Sequence, residues 1–291
     1  SEDSPRRIPG SAHPVDVGGR CRVMGVVNVT PDSFSDGGRF LEPDRAVAQA
    51  LALAAEGAEL LDVGAESTRP GALEVTVEEE WRRIHPVLAS LRGRTETPIS
   101  IDTRHAEVAR RALAEGADLV NDVSGLRDPE MRRLLARTGA PAIVMHLRGE
   151  PATMQQDTEY PDLRGEVYGA LADSVARAES DGIDPARLLI DPGLGFGKTG
   201  AQSLELLGHV GELRSLGLPV VIGVSRKSFL GAATGGAPVT DRLEAGIAAS
   251  VLAATARVAY VRTHDVLPTV RALRLLEAVR HAGTAPPRAT S

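Results

Sequence analysis

A single cysteine, Cys21, stands in the 291 residues, so there is no intramolecular disulfide framework and a cysteine-built zinc site is argued against. Phe, Tyr and Trp together number eight, too few for a base-stacking platform. Positive charge is in deficit as well, with 33 Lys and Arg against 39 Asp and Glu. The resulting net charge of −6 lacks the basic footprint that nucleic acid requires. No apolar run reaches the ~18 residues of a membrane span, and the richest stretch, 246–261, is interrupted by Arg257. The opening SEDSPRRIPG has no apolar core of a secretory signal, so a soluble cytoplasmic enzyme is expected. What remains is 42% hydrophobic and 25% charged, which is ordinary for a globular chain.

Residues 1–20 are polar and carry Pro9 and Pro14, and 282–291 (AGTAPPRATS) supplies no core face; both read as flexible tails around a body at 21–281. Within that body, short apolar runs alternate with amphipathic ones. Strands are predicted at VMGVVNV from Val23, ELLDVG from Glu59, PISID from Pro98, DLVND from Asp118 and AIVMH from Ala142. Three more follow at LLID from Leu188, PVVIGVS from Pro219 and AYVRT from Ala259. Each is almost continuously apolar, as strands covered on both faces must be. Helical spacing is read over 44–56, 77–91, 105–115, 163–180, 203–216, 243–257 and 265–281. Two joints repeat one phrase, Glu56-Gly57-Ala58-Glu59-Leu60 and Glu115-Gly116-Ala117-Asp118-Leu119, each with a glycine where a helix ends and a strand begins. Eight such units predict an α/β fold, a single (β/α)8 TIM barrel of parallel strands, with an open doubly wound sheet as the alternative.

In such a barrel the chemistry sits at the C-terminal ends of the strands. Those ends carry Asn28, Asp62, Asp102, Asn121, His146, Asp191, Lys227 just beyond Ser225, and Arg262 with His264. Turn chemistry alone places some Asp and Asn at strand ends, but eight polar ends in a row suit a flat, hydrogen-bonding substrate beside an anionic group. The two histidines lack the spacing of a metal cage. Two long polar segments follow the first and second strands, 30–38 with Phe34 and 66–71 with Arg69, and read as substrate loops.

Several motifs point elsewhere and fail. Gly195-Phe196-Gly197-Lys198-Thr199 looks like the end of a phosphate loop, but Pro192 stands where its first glycine belongs, so Lys198 is read as a solvated loop residue. Asn28-Val29-Thr30 matches a glycosylation acceptor at what reads as a buried strand end. Asp102 with Asp191 could form a glycosidase pair, but the aromatic platforms such sites favour are scarce. Cys21 and Met145 read as core filling, with Met145 at a pocket floor. Lys227 beside Arg226 also fits a Schiff-base lyase, because a neighbouring cation lowers an amine's pKa.

Taken in order, the motifs NVTPDSFSDGG from Asn28, ESTRPGA from Glu66, SIDT from Ser100 and NDVSG from Asn121 resemble those of the dihydropteroate synthase family of pterin-binding enzymes. So do MHLRGEPATMQ from Met145, DPGLGFGKT from Asp191, SRKSFLG from Ser225 and VRTHDV from Val261. The resemblance spans about Val23 to Val266, with Ala65 in place of a second glycine as a small departure. It implies a transferase of folate biosynthesis that joins (7,8-dihydropterin-6-yl)methyl diphosphate to 4-aminobenzoate, releasing diphosphate. By that match Asp102, Asn121, Met145, Asp191, Phe196, Lys227 and Arg262 hold the pterin, with Lys227, Arg262 and Asp102 as the catalytic set. Asn28, Thr68, Arg69, Arg262 and His264 take the diphosphate, with Asn28 as ligand to Mg²⁺. Phe34, Thr68, Pro70 and Ser228 enclose the 4-aminobenzoate ring and, with it, sulfonamide inhibitors. A homodimer formed through helices late in the chain is also implied. Two neighbouring classes share the barrel: pterin-binding methyltransferase domains, which do not need the Phe34 and Arg69 segments, and a paralogue that binds pterin without turnover.

Overall fold

The computed structural model describes residues 7–29, 41–65 and 75–282. Phe34, Thr68, Arg69 and Pro70, with the two loops that carry them, lie outside the described residues. A two-residue hairpin, β1 (Arg7–Ile8) and β2 (Val15–Asp16), precedes the eight barrel strands. These are β3 (Arg22–Asn28), β4 (Leu60–Gly64), β5 (Ile99–Asp102), β6 (Leu119–Asp122), β7 (Ala142–Met145), β8 (Leu188–Asp191), β9 (Val221–Gly223) and β10 (Tyr260–Thr263). Every predicted strand is present and parallel to its neighbours, in the order β8-β7-β6-β5-β4-β3-β10-β9. A single parallel bridge between Ile190 and Val220 closes β8 onto β9, and the fold is the TIM barrel.

Between the strands run α1 (Leu41–Glu56), α2 (Val77–Leu91), α3 (Ala106–Ala114), α4 (Pro129–Thr138) and α5 (Leu163–Ser180). They are followed by α6 (Gly200–Gly208), α7 (Ser228–Ala233), α8 (Leu243–Thr255) and α9 (Val266–Ala282). The helix α4 has only three buried apolar residues, Met131, Leu134 and Leu135, and escaped the periodicity reading. Its signal lies at its ends: Asp128 caps it by accepting from Glu130 N at 2.8 Å, Pro129 opens it, and Gly139 ends it at φ +70°. The helix predicted over 203–216 is two pieces, because α6 stops at Gly208 and a 3₁₀ segment, Val210–Leu216, follows. Gly57 and Gly116 do end their helices at φ +105° and +98°, the left-handed conformation their repeated phrase anticipated.

Strand residues alternate outward and inward. Leu61, Val63, Ile101, Val120, Val144, Ile190, Ile222 and Val261 face the helices, packing with Ile84, Leu91, Val108, Leu135, Val167 and Leu206. Met24, Leu60, Leu119, Ile143, Leu189, Val221 and Tyr260 form a separate apolar layer inside the barrel, joined by Ile8 and Val15 of the hairpin. Residues 7–20 therefore depart from the flexible tail expected of 1–20. Ile8 and Val15 sit opposite each other in register and, with Val17 packed against the same layer, plug the bottom of the barrel. Polar ties fix the rest: Tyr260 Oη donates to Asp16 O at 2.8 Å, His13 N to Asp118 Oδ1 at 2.7 Å, and Arg20 grips Glu59 through two bonds of 2.8 and 2.7 Å. Composition reads this segment as too polar for a core, and it misses a plug made of Ile8, Val15 and Val17 alone.

Candidate active site

Moving two residues up each strand keeps the side chain pointing inward. From the apolar layer that step leads from Leu60 to Asp62, Leu119 to Asn121, Ile143 to Met145, Leu189 to Asp191 and Tyr260 to Arg262. The C-terminal mouth is thus floored by ionic and amide groups resting directly on hydrocarbon.

Arg262 organises one side. Its Nε donates to Asp62 Oδ2 at 2.6 Å and its Nη2 to Asp102 Oδ2 at 3.0 Å, while Asn121 Nδ2 reaches the same Asp62 oxygen at 3.1 Å. Burial works against the guanidinium charge, but Asp62 and Asp102 hold its pKa above the ordinary arginine value. On the other side Asp191 Oδ1 accepts the Gly193 N–H at 2.7 Å. Burial raises the Asp191 pKa, opposed by that bond and by Lys227, Arg262 and Lys198. Gly193 is required here: its φ is +67°, and a Cβ would meet His146 O at 2.1 Å. Lys227 precedes α7, donates to Leu194 O at 3.0 Å and stands 4.2 Å from the centre of the Phe196 ring. Burial pulls its pKa down to about 8. Met145, beside Asp191 in the sheet register, packs with Val123, Leu147, Met154 and Phe196.

The structure therefore gathers Asp102, Asn121, Asp191, Phe196, Lys227, Arg262 and Met145 around one mouth. His264 lies next to them, its backbone N donating to Ser225 Oγ at 3.2 Å and its Nδ1 lying 3.0 Å from the same oxygen. Burial, with Arg226 and Arg262 nearby, lowers its pKa to about 4, which favours the neutral, hydrogen-bonding imidazole at pH 7. Ser228 is exposed at the start of α7. Asn28 is also exposed, at the end of β3, which corrects the buried strand end read there. Among the described residues no group of three or more His, Cys, Asp or Glu could hold a metal ion. Asn28 offers one neutral amide oxygen, which fits a hydrated Mg²⁺ that takes its other ligands from water and phosphate.

Two readings need correction or extension. Lys198 is not solvated: it is 3% exposed, with Nζ 2.8 Å from His146 Nδ1, 3.0 Å from Gly193 O and 2.9 Å from Phe196 O. Asp62 was seen as a polar strand end but given no role; it joins Arg262 to Asn121, and its signal was a carboxylate inside an otherwise apolar strand. Cys21, by contrast, is buried as expected.

The fold and mouth define a (β/α)8 barrel whose C-terminal end gathers buried carboxylate, amide and cationic side chains. The model of the family described as pterin binding enzyme matches residues 24–264, and the chain belongs to that family. It is 46% identical over 269 residues to a dihydropteroate synthase of Mycobacterium leprae, covering 90% of this chain and 94% of the relative. A Xanthomonas albilineans dihydropteroate synthase solved with 4-aminobenzoic acid superposes with a TM-score of 0.89 at 45% identity, over 95% of this chain and 99% of that one. The same organism's enzyme in complex with 7,8-dihydropteroate superposes with a TM-score of 0.85 at 42% identity, over 94% and 99% of the two chains.

Proposed function

We propose that this protein is a dihydropteroate synthase, a transferase of folate biosynthesis that condenses (7,8-dihydropterin-6-yl)methyl diphosphate with 4-aminobenzoate to give 7,8-dihydropteroate and diphosphate. The observation that carries the reading is the buried Asp191 carboxylate near Lys227 and Arg262 at the barrel mouth, with Asn121 joined to Arg262 through Asp62. A pterin edge presents an exocyclic amine and a ring N–H side by side, and an ionised carboxylate accepts both. Asn121 and Asp102 complete the edge, Lys227 donates to the pterin carbonyl or ring nitrogen, and Met145 and Phe196 wall the ring.

In the reaction the bond between the pterin methylene and the diphosphate oxygen breaks, its electron pair leaves with diphosphate, and the pterin ring shares the positive charge. The amine of 4-aminobenzoate then attacks the methylene and loses a proton. The chain's task is to stabilise the leaving charge and keep water from the cation. Arg262, clamped by Asp62 and Asp102, presents a fixed charge at the pocket edge, and neutral His264 donates a hydrogen bond. Asn28 would hold Mg²⁺, which when bound neutralises diphosphate charge. Asn28→Ala should then raise the Mg²⁺ concentration needed for half-maximal turnover about tenfold while leaving metal-free pterin affinity intact; unchanged Mg²⁺ dependence would contradict the role. Arg69 and Thr68 are assigned to diphosphate, and Phe34, Thr68, Pro70 and Ser228 to the aminobenzoate ring and competing sulfonamides.

We also infer a homodimer. The helix α8 carries apolar residues on more than one face, and Leu243, Leu252 and, on α9, Leu275 and Val279 are exposed. A reduced, buried Cys21 suits a cytoplasmic location. No helix among the described residues is long and apolar enough to cross a membrane. The deciding assay follows diphosphate release from the pterin substrate with and without 4-aminobenzoate and Mg²⁺. Dihydropteroate formation is the expected result. Pterin binding without product would reassign the chain to the non-catalytic class.

A further inference from the structure

Lys198 takes no part in the chemistry above, yet it is buried next to it. An ammonium has three N–H donors, and three acceptors surround Lys198 Nζ within 3.0 Å: His146 Nδ1, Gly193 O and Phe196 O. Burial, with the Lys198 charge beside it, pulls the His146 pKa down to about 3, so its ring is neutral and can accept. Burial also pulls the Lys198 pKa down to about 7, against the pull of Asp191, and the three acceptors favour its ammonium form. The group is saturated without water.

The two carbonyls belong to the turn that shapes the pocket. Gly193 supplies the N–H that Asp191 Oδ1 accepts, and Phe196 is the ring over which Lys227 stands. Lys227 itself donates to Leu194 O within the same turn. His146 belongs to the next strand position around the barrel, where its backbone N donates to Asp191 O at 2.8 Å. One buried cation therefore spans both ends of the turn and the neighbouring segment. Such a group costs desolvation, and an apolar residue of equal size would fill the space without that cost.

We propose that Lys198 is a positioning residue for pterin recognition: by tying Gly193, Phe196 and His146 together it sets the Asp191 carboxylate and the Phe196 face against which Lys227 is held. The proposal rests on the pterin-pocket reading. It differs from a plain fold staple in the substrate it affects, because the turn 193–197 carries groups assigned to the pterin: Gly193 N holds the Asp191 carboxylate and Phe196 faces Lys227.

The test compares full-length wild-type and Lys198→Met proteins by steady-state kinetics, varying each substrate in turn, with thermal unfolding alongside. Lys198→Met should raise the KM for the pterin diphosphate about tenfold and leave that for 4-aminobenzoate within about twofold. His146→Leu keeps the ammonium and removes one acceptor; it should move the pterin KM about threefold in the same direction, and His146→Gln should restore most of it through the amide oxygen. An unchanged pterin KM in either folded variant, or an equal rise in both KM values with a lower Tm, overturns the proposal. Should Lys198→Met fail to fold, the His146 pair decides alone. A wild-type protein that does not bind the pterin diphosphate in a calorimetric titration overturns the pocket reading and the proposal with it. Wild-type binding combined with indifferent variants overturns the proposal only.

Discussion

Two layers of inward-facing side chains lie one strand step apart and behave in opposite ways. The lower one, with Met24, Leu60, Leu119, Ile143, Leu189 and Tyr260, is hydrocarbon capped by Ile8 and Val15. The upper one, with Asp62, Asn121, Asp191 and Arg262, is ionic and amide, and two buried atoms at this level, Asp62 Oδ1 and the neighbouring Ser100 Oγ, have no hydrogen-bond partner among the described residues. Both layers are held by the same ladders. The lower one removes apolar area from water and stabilises the barrel, whereas the upper one holds desolvated charge that lowers stability and is of use only when a ligand completes it. Changes above should therefore be felt in catalysis, and changes below in unfolding.

The sharpest break is Asp191→Asn, which loses the ionised pair of acceptors and should lower kcat/KM about a thousandfold. Its Tm should not fall, because the neutral amide removes a buried charge. A lowered Tm with normal kinetics would reverse the comparison. Next comes Arg262→Met, expected to lower kcat/KM about a hundredfold. It should also cost about 3 kcal/mol in urea unfolding, since Asp62 and Asp102 then face each other without their cation. This is the one position where the upper layer stabilises as well as acts.

The pH profile is a gentler probe. Lys227 must be protonated to donate, so kcat/KM should fall about tenfold per pH unit as pH rises through about 8. On the acid side the rate should fall as Asp191 gains a proton, at a pH above the ordinary aspartate value because burial raises its pKa. Lys227→Arg should remove the alkaline limb and leave the acid one; an alkaline limb that persists would assign it to another group. The smallest effect is expected below. Tyr260→Phe loses the bond to Asp16 O, should cost about 1 kcal/mol, and should leave kcat/KM unchanged.

The sequence made the strands legible because each is an apolar run ending in a polar residue, and the same two-residue step that marks a strand also marks Asp191, Asn121 and Arg262 as inward. The motifs then supplied chemistry that spacing could not. The burial of Lys198 is not legible in the sequence, because its partners are backbone carbonyls and a histidine 52 residues away, and no local pattern encodes those. The helix α4 buries only three apolar residues, so periodicity does not reveal it, although its cap is written in Asp128-Pro129. The plug at 7–20 depends on a few apolar residues, Ile8, Val15 and Val17, whose value appears only once the barrel bottom exists.

The barrel closes on one bridge, Ile190 with Val220, whereas its other joints run through three to five register pairs. That joint lies between the strand ending in Asp191 and the strand leading to Lys227. Few rungs mean few amides locked by a ladder, so amide hydrogen exchange there is set by side-chain packing more than by sheet pairing. A hoop with one clasp changes its girth at the clasp. Under the pterin reading proposed above, a change of spacing between these two walls disturbs one bridge and no other ladder.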